Sequence, residues 1–460
     1  MIFYGLNFDM FKQILMLSLG TFSMYGVAAE IQVAAGVGTL QTAINGAQAD
    51  DVLVLESGNY TATNDQFTLD KPLTIRAASS ASLVNINASF VSHPHLSEPL
   101  SFMRFQGVNI NGPHWCLGSS GIAFKVDNLS FLETSMSCSN SAFVATDKIL
   151  LVDFSISNSF GSVSLQAPNV QAFGSTFSTR SGLTINGSDV SFIGNMVISY
   201  NANATDFSGS QPGGKLIAAN RFYYRLTEPA SYNYDSISSG RTINLLSIYS
   251  TNTNKSYLKN NLFKIDLTHF SGFDDAGTLE HIALLRGSSS GTSLNSYFYN
   301  NLIDTVGLDI KQKADGVTDL GPMIINELAA FENNIVVNYN DDLVADNAKA
   351  TVKYNLGFNN AAEFDSNADN INADPLFNTD YVLNPNSPAI DSGSPGLQFS
   401  DIDMSRNDIG IYGGSWRIDQ YDAQRADHAL GPFVYPVIEA QSSVVNGELK
   451  LKFVSYPRLK

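Results

Sequence analysis

The chain has 460 residues, a formal net charge of −17, and a composition in which 44% of residues are hydrophobic, 11% aromatic and only 15% charged. That balance excludes a disordered chain, and the acidic excess argues against nucleic acid as a partner. A chain of this length would ordinarily divide into about three domains, but a solenoid lengthens by adding coils without thickening its core, so one long domain is allowed.

In chain order, residues 1–29 read as an export signal. Lys12 precedes the apolar run from Ile14 to Leu19, and Val27 and Ala29 supply the small residues of a cleavage site before Glu30. Met10 is an alternative start of translation. An amphipathic surface helix or an anchor is the alternative, but the apolar stretch is too short to span a bilayer. Removal takes away Asp9 and Lys12 together, so the mature charge stays at −17. The expected location is periplasmic, extracellular or on the outer cell surface.

Residues 36–61 (GVGTLQTAINGAQADDVLVLESGNYT) predict a short amphipathic helix at 39–48, then a strand and a Gly58-Asn59-Tyr60 turn. The helix is expected to cap the open end of a solenoid. Residues 30–61 resemble the opening segment of many secreted polysaccharide lyases and related β-helix proteins, with Leu-x-x-Ala-Ile before a strand ending in Gly-x-Tyr.

From 127 onward a repeat takes over. DNLSFLETSMS, KILLVDFSIS, NVQAFGSTFS and DVSFIGNMVIS place Leu129, Ile149, Val170 and Val190 at one phase, 20 or 21 residues apart. The phase continues through KLIAANRFYY, SYLKNNLFKID, SYFYNNLIDTV, LAAFENNIVVN and ATVKYNLGFNN. Their recurrent turn asparagines are Asn220, Asn261, Asn301, Asn334 and Asn355. Asparagine tolerates the left-handed backbone region and can bond its equivalent on the next coil. The expected fold is all-β, a right-handed parallel β-helix (a pectate-lyase-like solenoid) over 30–431. A sandwich would need hairpins and would hold no fixed phase. Cys116 and Cys138 lie 22 residues apart, about one coil, so a disulfide after export and two buried thiols are both open, the first being favoured.

Three later coils carry insertions at one phase: 223–241, 266–281 and 307–321. They are expected to emerge on one edge and wall a groove for a linear, acidic polysaccharide. Arg225 and Lys313 would meet carboxylates there, and Tyr223, Tyr224, Tyr232 and Tyr234 would stack on sugar rings. Asp274, Asp275 and Glu280 offer hard oxygens for Ca²⁺. Residues 280–307 resemble a segment of the polysaccharide lyase family of chondroitinase B and alginate lyases. That resemblance puts Arg286 where the family has its proton-abstracting lysine, Glu280 near one Ca²⁺ ligand and Lys311 near a later arginine. His281 and Leu279 flank in place of a second glutamate. The implied chemistry is Ca²⁺-assisted β-elimination, in which the cation neutralises a uronate carboxylate and a tuned base removes the α-proton. Arg286, Lys311 and His281 are its candidates for base and electrophilic roles.

Residues 373–414 resemble the terminal segment of bacterial surface β-helix proteins, carried by Asp374-Pro375-Leu376-Phe377, Ser387-Pro388-Ala389-Ile390-Asp391 and Asp408-Ile409-Gly410. Within it, Asp401, Asp403 and Asp408 have the carboxylate spacing of a calcium loop, without its glycine. Residues 432–460 predict a hairpin turning at Asn446-Gly447, either a cap or the start of a further module. Two functions stand side by side: an exported lyase on an acidic polysaccharide, and a non-catalytic surface protein that binds glycans or builds the envelope.

Overall fold

The computed structural model describes residues 28–460 apart from 119–123, 140, 159–160, 181, 201–204, 210–212, 226–240, 251–254, 267, 269–278, 290–294, 307–327, 340–342, 344–349, 422–432, 438–443, 446–447, 450–451 and 457–460. Its repeating unit is a coil of short strands, as in Lys148–Val152, Ser155–Asn158 and Val163–Gln166. Equivalent strands of successive coils stack into three parallel sheets of 13, 14 and six strands, counted among the described residues. The chain is therefore a parallel β-helix. Leu129, Ile149, Val170 and Val190 are register partners in the first sheet, as their spacing predicts.

From the strand Leu100–Gln106 onward, a two-residue turn joins each first-sheet strand to its second-sheet strand. The first turn residue is left-handed, with φ of 56° at Gly174, 67° at Gly194, 54° at Ala219 and 55° at Asn260. Gly194 has a further reason to be glycine, since an added Cβ would stand 2.2 Å from the Tyr421 carbonyl oxygen. The ladder asparagines occupy the second turn position, so the expectation that they take the left-handed conformation is corrected. Their bonding is as expected. The Oδ1 of Asn261 accepts from both the backbone N and Nδ2 of Asn220, and the pattern repeats from Asn195 through Asn301, Asn334 and Asn355 to Asn370. Each Nδ2 also donates to a strand carbonyl of an earlier coil, such as Phe192 for Asn220. A buried corner that would otherwise strand backbone donors is thereby satisfied.

Inside, each coil turns several apolar residues inward, and phenylalanines fall into one file from Phe67 through Phe131, Phe192 and Phe263 to Phe364. Successive centroids lie 4.9 to 6.3 Å apart. Rings at this spacing bury large apolar area with favourable edge and offset contacts. The helix Thr39–Gly46 packs Leu40 and Ile44 into the same core. Cys116 and Cys138 are bonded, with Cα atoms 5.8 Å apart.

After the last coil the chain doubles back outside the solenoid. Residues 373–421 lie along the corner between the first two sheets; of its recurrent words, Ser387-Pro388-Ala389-Ile390-Asp391 forms a turn and Phe377 bridges to Leu383. Ala389, Ile409, Ile411 and Ile418 pack on Leu262, Leu302, Ile335 and Leu356, which open second-sheet strands. Trp416 and Tyr421 then reach Leu132, Val152, Phe173 and Ile193, which close first-sheet strands of much earlier coils. Three consecutive turns read Asn-Asn. Their second asparagines build the internal ladder while the first, Asn260, Asn300 and Asn333, bond this returning segment at Ile411, Asp408 and Ser394. Further on, Val444–Val445 pairs antiparallel with Glu448–Leu449, and Phe433–Val437 with Lys452–Tyr456; the Asn446-Gly447 turn expected between the first pair lies outside the described residues. No helix among the described residues is long and apolar enough to cross a membrane.

Candidate functional site

The second-sheet strands Arg221–Arg225, Leu262–Asp266 and Leu302–Val306 end in register, with Arg225 paired to Asp266 and Asp266 to Val306. The three insertions therefore leave the solenoid from stacked positions, one strand spacing of about 4.8 Å apart. Two of them return into the third sheet, as Arg241–Ser250 and Leu279–Ser289. The edge between the second and third sheets is thus where long connections accumulate, and it borders the outer faces of both.

On the second-sheet side, Tyr223, Lys264 and Asp304 share one register column. Tyr223 faces outward, half-buried beside the returning segment. The Lys264 ammonium stands 5.8 Å from the Tyr381 ring centroid, and Tyr381 donates its hydroxyl to Asp304 Oδ2 at 2.6 Å. The other oxygen, Asp304 Oδ1, accepts from Asn338 Nδ2 at 2.8 Å. One Asp304 oxygen holds the returning segment and the other the Asn338 side chain of a neighbouring coil, which leaves Lys264 as the charge presented by this column. Arg225 is exposed at the end of its strand.

Tyr224, expected to stack on a sugar, lies on the opposite face. It is fully buried with its ring 6.3 Å from Phe222, and its hydroxyl donates to Thr205 Oγ1 at 3.3 Å. Burial pushes its phenol pKa upward. The cause is alternation: in one strand adjacent tyrosines point to opposite sides.

On the third-sheet side one register column runs Ser164, Thr184, Asp206, Ser247 and Arg286. Asp206 Oδ1 is buried and accepts no hydrogen bond among the described residues. Desolvation raises its pKa, against the pull of Lys215. Asp206 was not anticipated from sequence. The signal available was a carboxylate interrupting a column of serine and threonine. Arg286 holds the register position two strands beyond Asp206, about 10 Å away by strand spacing. His281 pairs with Thr242, and the pairing from His281 to Arg286 carries no bulge.

For Leu279–Ser289, which holds Glu280, His281 and Arg286, the backbone course alone is described. Tyr232, Tyr234, Asp274, Asp275, Lys311 and Lys313 lie outside the described residues. Among the described residues no three or more His, Cys, Asp or Glu side chains gather as a metal site. In the returning segment, Asp401 accepts from the Gly414 and Asp408 amides, and Asp408 Oδ1 accepts from the Asp391 amide at 2.8 Å. These carboxylates close turns. Compared with known families and with curated proteins, the chain matches no family model and no curated sequence.

Proposed function

We propose that this is an exported β-helix protein that binds an extended acidic polysaccharide along the edge between its second and third sheets. The observation that carries the reading is the register of Arg225, Asp266 and Val306, which sets three long connections beside one continuous strand face. A linear sugar repeats along its length as a solenoid does, so contacts spaced by coils suit it. Arg225 and Lys264 offer cations, and Tyr223 an aromatic surface. The Cys116–Cys138 bond accords with an oxidising destination and with the signal read at 1–29. In the same reading the hand of the coil is right and the helix Thr39–Gly46 closes the first coil.

A second reading, Ca²⁺-dependent β-elimination, is favoured by the buried, unpartnered Asp206 oxygen in one column with Arg286. A carboxylate with raised pKa is suited to accept the α-proton of a uronate, and an arginine to neutralise the developing charge.

Incubation of the purified protein with alginate, pectate and chondroitin sulfate, with and without Ca²⁺, separates the two. Binding alone predicts retention on an acidic sugar, lost in Tyr223→Ala and Arg225→Ala, and no rise in the ultraviolet band of unsaturated uronates. A rise that chelator abolishes and that Asp206→Asn, Arg286→Ala or Lys311→Ala removes would establish the lyase. Neither retention nor a rise would end the glycan reading for that panel.

A further inference from the structure

The outer face of the first sheet carries a cluster away from the insertion edge. Tyr257 and Tyr297 are register partners on consecutive coils and stack with centroids 5.0 Å apart at 19°. Near-parallel rings on parallel strands keep their hydroxyls side by side. Lys259 lies 5.3 Å from the Tyr257 centroid and Lys255 lies 5.8 Å from that of Tyr297. Tyr299 extends the cluster at 5.8 Å from Tyr297, and Phe399 of the returning segment closes its far side edge-on at 5.1 Å.

Lys259 is the anomaly. It is half-buried, and burial is the sole cause pulling its ammonium pKa downward. It makes no ion pair with a carboxylate among the described residues. The one acid in its register column is Glu332, which stands beyond Tyr299 and pairs in register with Lys353. A protein with a net charge of −17 has ample carboxylates, yet none among the described residues pairs with this ammonium. Attraction to a ring face offsets only part of the hydration an ammonium loses. An anion seated between the ammonium and the phenol hydroxyls would supply the missing partner through charge-assisted hydrogen bonds.

We propose that Lys259, Lys255, Tyr257 and Tyr297 form a second subsite that holds an anionic substituent, carboxylate or sulfate, of a polysaccharide chain. It rests on the glycan reading above but uses a different sheet face, so the two are separable.

The test is calorimetric titration of the full chain with an alginate tetrasaccharide and a neutral glucan tetrasaccharide, in wild type, Lys259→Met, Lys255→Met and Arg225→Ala. Methionine keeps the apolar stem and removes the charge, so Lys259→Met is expected to melt no lower than wild type. It should weaken the acidic ligand about tenfold, the scale of one lost charge-assisted bond, and leave the neutral one unchanged. Lys255→Met, at the exposed rim, should weaken it less. Unchanged acidic binding in both lysine variants, with loss in Arg225→Ala, would overturn the subsite and leave the groove reading standing. Equal losses for acidic and neutral ligands in Lys259→Met would overturn it too. A wild type that binds neither sugar would overturn both.

Discussion

At the scale of single residues, the second asparagine of each turn does most to hold neighbouring coils together. Asn301 Oδ1 accepts from the Asn261 amide and side chain, and Asn301 Nδ2 donates to the Leu258 carbonyl. Replacing it with alanine leaves two buried donors and one acceptor unpaired, each worth about 1–3 kcal/mol. Asn301→Ala should therefore destabilise the chain by about 3 kcal/mol or more, read as a lower denaturation midpoint. Substituting its neighbour Asn300 removes bonds to Asn407 and Asp408 in the returning segment and leaves the ladder whole. The two adjacent asparagines thus answer to different tests.

At the scale of elements, the returning segment is held chiefly by packing at its far end. Trp416 seats against Leu132, Val152, Phe173 and Ile193, and removing a large buried aromatic typically costs about 3–5 kcal/mol. Trp416→Ala should cost that much and speed amide exchange at 409–421 relative to the coils beneath. The segment also carries a pH dependence. Burial pushes Asp401 up to about 6, against the Gly414 amide that favours its ionised form, with Asp408 adding repulsion. Its folded pKa lies above the unfolded value near 3.9, so between about pH 4 and 6 the folded state binds more protons and stability falls as pH rises. Melting temperatures across that window should decline, and Asp401→Asn should flatten the slope.

At the scale of the molecule, the coil was legible because its period is local. Leu129, Ile149, Val170 and Val190 announce their register by spacing alone, and Cys116 and Cys138 their pairing by one coil's separation. The asparagines were half legible. Their mutual bonding followed from recurrence, but the left-handed residue is the one before them, and only geometry tells the two apart. Tyr224 was misplaced because composition cannot see alternation, whereas Phe222 and Tyr224 inward with Tyr223 outward follows once the strand is fixed. Asp206 and Lys259 were invisible for another reason. What marks them is a partner that is missing, and sequence records residues rather than the contacts they lack. The resting place of residues 373–421 has no period at all, since it is set by apolar positions scattered over nine or more coils' worth of strands on two sheets.

The stacked exits at Arg225, Asp266 and Val306 separate two kinds of heritable change. A coil must keep its length and its asparagine, because its neighbours above and below are templated on it. A connection leaving at those exits is bound by no such rule: it can lengthen, shorten or be replaced while the points where it is rooted stay one strand apart. The scaffold acts as a ruler whose graduations are fixed by backbone hydrogen bonding, and the loops as attachments to it. Variation confined to the attachments would alter what is gripped without recalibrating the ruler, so grafting a foreign connection between Asp266 and Leu279 should leave the melting behaviour of the coils almost untouched.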